Sequence, residues 1–169
     1  SEELVLDSAH IALHQERIVS DIVLGHDCQL VLDHYIVRDF ESSMSVLDSI
    51  IVSIPNVSPL YHFLRAQVRT SQIEAQPMNE SEQRLRYLEI LQDLKYCAAS
   101  LPDFPYASYN LGNTCMKLKD YGTAVDAYSE TIARDVDMPE AYYNRGVAYI
   151  LLGKTEEGLA DLSRAGELG

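Results

Sequence analysis

The chain has 169 residues, 47% of them apolar, which is long enough for a domain with its own core and too apolar for a disordered chain. Thirteen Lys and Arg against 26 Asp and Glu leave a net charge of −13, which repels phosphate backbones and argues against nucleic acid as a partner, while favouring basic or mixed protein surfaces. No stretch reaches the roughly 20 apolar residues of a membrane span, so membrane insertion is not expected.

Residues 1–27 carry many apolar side chains (Leu4, Val5, Leu6, Ile11, Leu13, Ile18, Val19, Ile22, Val23), but they follow a helical period only in patches such as Ile18 with Ile22. This segment is expected to be partly helical and to break at Gly25-His26-Asp27. His10 and His14 would share a face of such a helix. Glu does not follow the first histidine, however, and His26, Cys28 and His34 add no recognisable ligand spacing, so no metal site is expected.

From Cys28 onward, Leu30, Val31, His34, Tyr35 and Val37 form one broad helical face. Arg38-Asp39-Phe40 then resembles Lys119-Asp120-Tyr121 further along the chain. A helix is expected over residues 39–54, ending before Pro55. Ser58-Pro59 supplies an N-cap and a first-turn proline for the next helix, over 60–75. Gln76-Pro77-Met78-Asn79 marks a turn, with Asn79 and Glu82 spaced as a capping box for a helix over 81–100. On that helix Leu85, Leu88, Ile90 or Leu91, Leu94 and Cys97 are expected on one side.

The last third of the chain repeats itself. Phe104-Pro105-Tyr106-Ala107-Ser108-Tyr109-Asn110-Leu111-Gly112 aligns with Met138-Pro139-Glu140-Ala141-Tyr142-Tyr143-Asn144-Arg145-Gly146 at a constant offset (146 − 112 = 34). Each first helix is followed by a second, over 120–134 and 154–165, in which Ala124 corresponds to Gly158 and Tyr128 to Leu162. Leu111-Gly112, Tyr121, Ala124 and Tyr128, and again Gly146, Tyr149, Gly158, Leu162 and Ala165, resemble the tetratricopeptide repeat. Small residues stand where two helices cross closely and large ones where they interlock.

The resemblance implies an all-α fold, a tetratricopeptide-like array of antiparallel helix pairs wound into a right-handed superhelix. It divides the chain into an N-terminal segment (1–27), a degenerate repeat (28–57), an enlarged repeat with about a dozen extra residues (58–103) and two clear repeats (104–137 and 138–169). The closing helix that such arrays carry is missing after the second. Leu159, Leu162 and Ala165 would then face water, so the chain is expected to be part of a longer array or to self-associate through its last helix. Cys97 and Cys115 fall where the repeat wants small core residues and are read as packing.

In such an array the first helix of each pair lines the hollow side. On the first of these, Tyr106, Tyr109, Asn113, Met116 and Lys117 form a stripe distinct from the core stripe Ala107, Leu111, Cys115 and Leu118. Tyr143, Asn144 and Val147 lie on the next. Tyr and Met give large, adaptable contact area, so these eight residues are the candidate binding surface for a protein or peptide. The plainer alternative is that Tyr109 and Tyr143 only pack on neighbouring helices. Asn113 and Asn144 match the two asparagines with which some family members grip a C-terminal carboxylate, yet the lysine of that clamp is Tyr109 here, so a carboxylate clamp is not expected. No Gly-rich phosphate loop or nucleophile elbow is present, and no enzyme activity or cofactor is expected.

Overall fold

The computed structural model describes residues 26–169, and of residues 26–29 the backbone only. The expectations for residues 1–25, His10 and His14 included, lie outside this range. Among the described residues every element is a helix: α1 (His26–Ile36), α2 (Phe40–Ser53), α3 (Pro59–Ala75), α4 (Glu80–Ser100), α5 (Pro105–Lys117), α6 (Tyr121–Arg134), α7 (Pro139–Leu151) and α8 (Thr155–Leu168). None of them is long and apolar enough to cross a membrane. The chain divides between Pro77 and Met78 into two compact units.

Local chemistry sets the helix starts. Asp39 and Asp120 accept hydrogen bonds from the amides of Ser42 (3.1 Å) and Thr123 (3.2 Å), and Ser58 from that of Leu60 (3.4 Å). Asn79 and Glu82 form a complete capping box, at 2.9 and 3.2 Å. Helices α5 and α7 begin differently. Each has Pro in its first turn and no side-chain cap, and the preceding Phe104 and Met138 are buried instead.

One turn recurs in three hairpins. Arg38, Lys119 and Gly153 all take positive φ (63°, 60° and 79°), and the next residue sends its amide back to a carbonyl of the preceding helix: Asp39 to His34, Asp120 to Cys115 and Lys154 to Tyr149, each at 2.9 Å. This left-handed exit satisfies carbonyls that the helix end leaves open. Only the third hairpin uses glycine there, so the other two accept a side chain in a region that L-residues disfavour.

In the first unit α1 packs on α2 and α2 on α3. Val31, Leu47, Phe63, Leu64 and Val68 are sealed from solvent, each stabilising the fold by about 1.5–3 kcal/mol. Ser43 Oγ donates to the Val31 carbonyl at 3.1 Å, and the Tyr35 hydroxyl and Ser71 Oγ lie 2.9 Å apart, tying α1 to α2 and to α3.

In the second unit the order of packing is α4, α5, α6, α7, α8, with α5 also touching α7. Ile90, Leu94 and Cys97 of α4 are buried, but Leu85 and Leu88 are 58% and 43% exposed, against expectation. Helical phase explains this: at about 100° per residue, Leu85 and Leu88 lie roughly 140° and 160° around α4 from Ile90, on the side opposite the buried stripe of Ile90, Asp93, Leu94, Cys97 and Ala98. On α8, Leu159 is 58% exposed as expected, while Ala165 is buried and Leu162 half-buried against the rest of the unit.

Helices α7 and α8 cross closely at two glycines. A Cβ on Gly146 would stand 2.9 Å from the Gly158 carbonyl oxygen, and one on Gly158 would stand 2.8 Å from that of Gly146. Backbone cannot step aside cheaply. Gly146→Ala should therefore destabilise the second unit by about 1–3 kcal/mol in urea unfolding. Gly122→Ala, with nothing within 4 Å of the new methyl, should instead stabilise it by about 0.5–1 kcal/mol.

Cys97 and Cys115 are free and buried. Burial first, and then the charges of Asp93 and Asp120, push their thiols up from 9.0 to about 12 and about 11. Unfolded, both would ionise near 9.0. Folding therefore favours the protonated form, and these thiols contribute stability that is lost as pH climbs from about 9 through about 11 for Cys115 and about 12 for Cys97. Both should resist an aqueous disulfide reagent at pH 8 until the chain is unfolded, when two thiols besides Cys28 become titratable.

Candidate functional site

Three of the eight candidate residues meet in one hydrogen-bonded group between α5, α6 and α7. The fourth member is Tyr128 on α6, whose side chain is fully buried. Its hydroxyl donates to Asn113 Oδ1 at 2.6 Å. Asn144 Nδ2 on α7 donates to the same oxygen and to the Tyr109 hydroxyl, both at 3.1 Å. The Tyr109 and Tyr128 rings lie 5.9 Å apart and tilted by 55°. Burial first, and then the neighbouring Tyr109 and Cys115, drive the Tyr128 phenol upward, so it remains a proton donor.

Gly112 makes room for this group. A Cβ there would come within 2.5 Å of the Tyr128 ring. The small residue before Asn113 is thus required by the ring that Asn113 anchors.

The remaining candidates divide by exposure. Tyr109 is only 4% exposed, so its ring is largely committed to packing. Tyr106, Asn113, Met116, Tyr143, Asn144 and Val147 are half-buried, and Lys117 is exposed in the last turn of α5. Tyr106 stands edge-on to Phe104, with ring centroids 5.5 Å apart. Its hydroxyl is shifted upward, first by burial and then by the negative charges of Asp135 and Glu140. The Tyr106 end of the stripe is therefore acidic, and the Lys117 end carries the base.

A second polar cluster escaped the sequence reading. Arg145 on α7 grips Asp161 on α8 through two bonds, Nε to Oδ2 at 2.7 Å and Nη2 to Oδ1 at 2.9 Å, and donates from Nη1 to Ser129 Oγ on α6 at 3.0 Å. Its guanidinium also lies 5.6 Å from the Tyr142 ring and 5.8 Å from the Tyr149 ring. The Asp161 bonds, above all, raise the arginine's pKa further and hold it charged. At the repeat offset the same two positions hold Leu111 and Ala127, both buried (145 − 111 = 34; 161 − 127 = 34). A base and an acid replacing two apolar residues at matched positions was the signal available. In the first unit Arg65 likewise meets an acid, Asp48 on α2, at 2.9 Å.

Comparison with known proteins agrees with this geometry. Residues 112–153 match a family model described as TPR repeat, and residues 139–168 one described as tetratricopeptide repeat. Small glutamine-rich tetratricopeptide repeat-containing protein 2 of Mycosarcoma maydis is 32% identical over 57 residues, which are 34% of this chain and only 16% of that protein. Among solved structures, MamA is similar with a TM-score of 0.71 and 17% identity, over 90% of this chain and 84% of that one. YrrB, described as a TPR protein with an unusual peptide-binding site, is similar with a TM-score of 0.68 and 12% identity, over 97% of this chain and 81% of that one. At these identities the structural likeness is one of fold. The sequence matches, the 34-residue register and the all-α fold agree: residues 112–168 carry tetratricopeptide repeats, within a chain whose fold is similar to that of tetratricopeptide-repeat proteins.

Proposed function

We propose that this chain is a non-enzymatic scaffold for protein–protein interaction, which holds a peptide or protein segment on the face formed by α5 and α7, the face that is concave in an array of this kind. The observation that carries the reading is the 3.1 Å bond between Asn144 and Asn113, which sets the α5 and α7 stripes side by side. Met116, Asn113, Tyr143 and Val147 then offer half-buried apolar and amide surface together. YrrB, a protein of the same fold, is described as having a peptide-binding site. The net charge of −13 favours a partner with basic residues and opposes nucleic acid. The most firmly held carboxylate, Asp161, is tied to Arg145 rather than free for chemistry.

Tyr109 is spent on packing, so the contact energy must come from Tyr106, Met116, Tyr143 and Val147. Tyr143→Ala combined with Val147→Ala should weaken binding to peptides selected from a random array by about tenfold or more, read by fluorescence polarisation, with the helical circular dichroism unchanged. Undiminished affinity in that variant would sink the groove.

A second reading, a structural spacer that self-associates through α8, is favoured by the exposure of Leu159 (58%) and Leu151 (52%). It predicts a dimer in sedimentation equilibrium that Leu159→Glu converts to monomer. A parent chain that stays monomeric at every concentration rules this out.

A further inference from the structure

We propose that Asn113 and Asn144 together recognise the uncharged backbone amide of an internal peptide segment and reject a C-terminal carboxylate. This rests on the peptide-binding reading above and specifies what that face accepts.

The argument is one of donors and acceptors. The Tyr128 hydroxyl is sealed from water and has a single proton, which it gives to Asn113 Oδ1. That oxygen also receives an N–H of Asn144, whose Nδ2 reaches the Tyr109 hydroxyl as well. Asn113 is thereby held with its oxygen inward and its NH2 outward, and Asn144 with its NH2 inward and its oxygen outward. Among the described residues neither Asn113 Nδ2 nor Asn144 Oδ1 has a hydrogen-bond partner, and neither is sealed from solvent. The pair thus shows one donor and one acceptor.

Reversing a single amide would set donor against donor, or acceptor against acceptor, at 3.1 Å. Reversing both restores the Asn113–Asn144 bond but takes away the acceptor of the buried Tyr128 proton, and it too leaves one donor and one acceptor outward. The polarity of the site therefore survives either assignment.

A peptide unit carries one N–H and one C=O, so it complements this pair. A carboxylate has no proton to give and needs donors on both oxygens. Beside Asn144 Oδ1 it would meet a second acceptor, and the acidic Tyr106 end of the stripe adds repulsion. The carboxylate-gripping role that the resemblance attaches to this asparagine pair needs the N–H groups that Asn144 has turned inward.

The test uses random peptides tethered by their N-termini and synthesised in pairs, one member ending in a free carboxylate and the other in a carboxamide. Affinities of the bound sequences are then measured in solution. The carboxamide form should bind at least as tightly as the acid. N-methylation of one internal backbone amide should weaken binding about three- to tenfold, the effect of one neutral hydrogen bond. Loss of binding on amidation, or indifference to N-methylation at every internal position, would overturn the proposal while leaving the peptide-binding face intact. If no peptide binds in either form, the peptide-binding reading falls and this proposal with it.

Discussion

A tyrosine hydroxyl sealed from water must give its proton to a neighbour, because an unmet buried donor costs about 1–3 kcal/mol. In the second unit that donor is Tyr128 and the neighbour is Asn113. Much follows from the one bond. The ring that carries the hydroxyl occupies the space where residue 112 would place a Cβ, so the position is glycine. Asn113 cannot rotate freely, Asn144 must turn its NH2 toward it, and Tyr109 closes the group from the other side. What the face presents to solvent is decided by a proton that never leaves the interior.

The same unit solves one packing problem in two ways. Where the first hairpin crosses through Ala124 and a tyrosine ring against Gly112, the second brings two glycine backbones almost into contact. Where the first has Leu111 and Ala127, the second has Arg145 and Asp161, with Ser129 and two tyrosine rings around the guanidinium. The helix lengths and the positive-φ turn are held, and the side chains filling the crossing are not. Repeat architecture fixes backbone spacing and leaves chemistry to vary.

This division also explains what could be read from the residues alone. The 34-residue offset, the prolines at the starts of α5 and α7, and the caps at Ser58 and Asn79 are local signals, and each names its own element. The exposure of Leu85 and Leu88 follows from the period of α4, which sets them opposite Ile90, Leu94 and Cys97; grouping all five positions on one side neglects that phase. Tyr128 was legible as a large core residue but not as a donor, since its partner lies on another helix. The positive φ at Arg38 and Lys119 was masked by residues that seldom adopt it, although the matched Gly153 marks the place. Of the candidate face, the residue types and their stripes could be read; the direction in which each amide points could not, because three helices settle it jointly.

The Arg145–Asp161 pair bears on how a chain made of similar hairpins avoids pairing the wrong ones. If α5 folded against α8, Leu111 would lie opposite Asp161, and if α7 took the hairpin register of α5, Arg145 would lie opposite Ala127; either mistake strands a charge in a poorly hydrated crossing. Leaving one partner of a buried ion pair alone costs about 3–5 kcal/mol, comparable with the whole stability of a small domain. Two residues that add little to the correct structure's net stability thus act as a proofreading mark, raising the energy of misassembled hairpins and keeping the repeats in order along the chain.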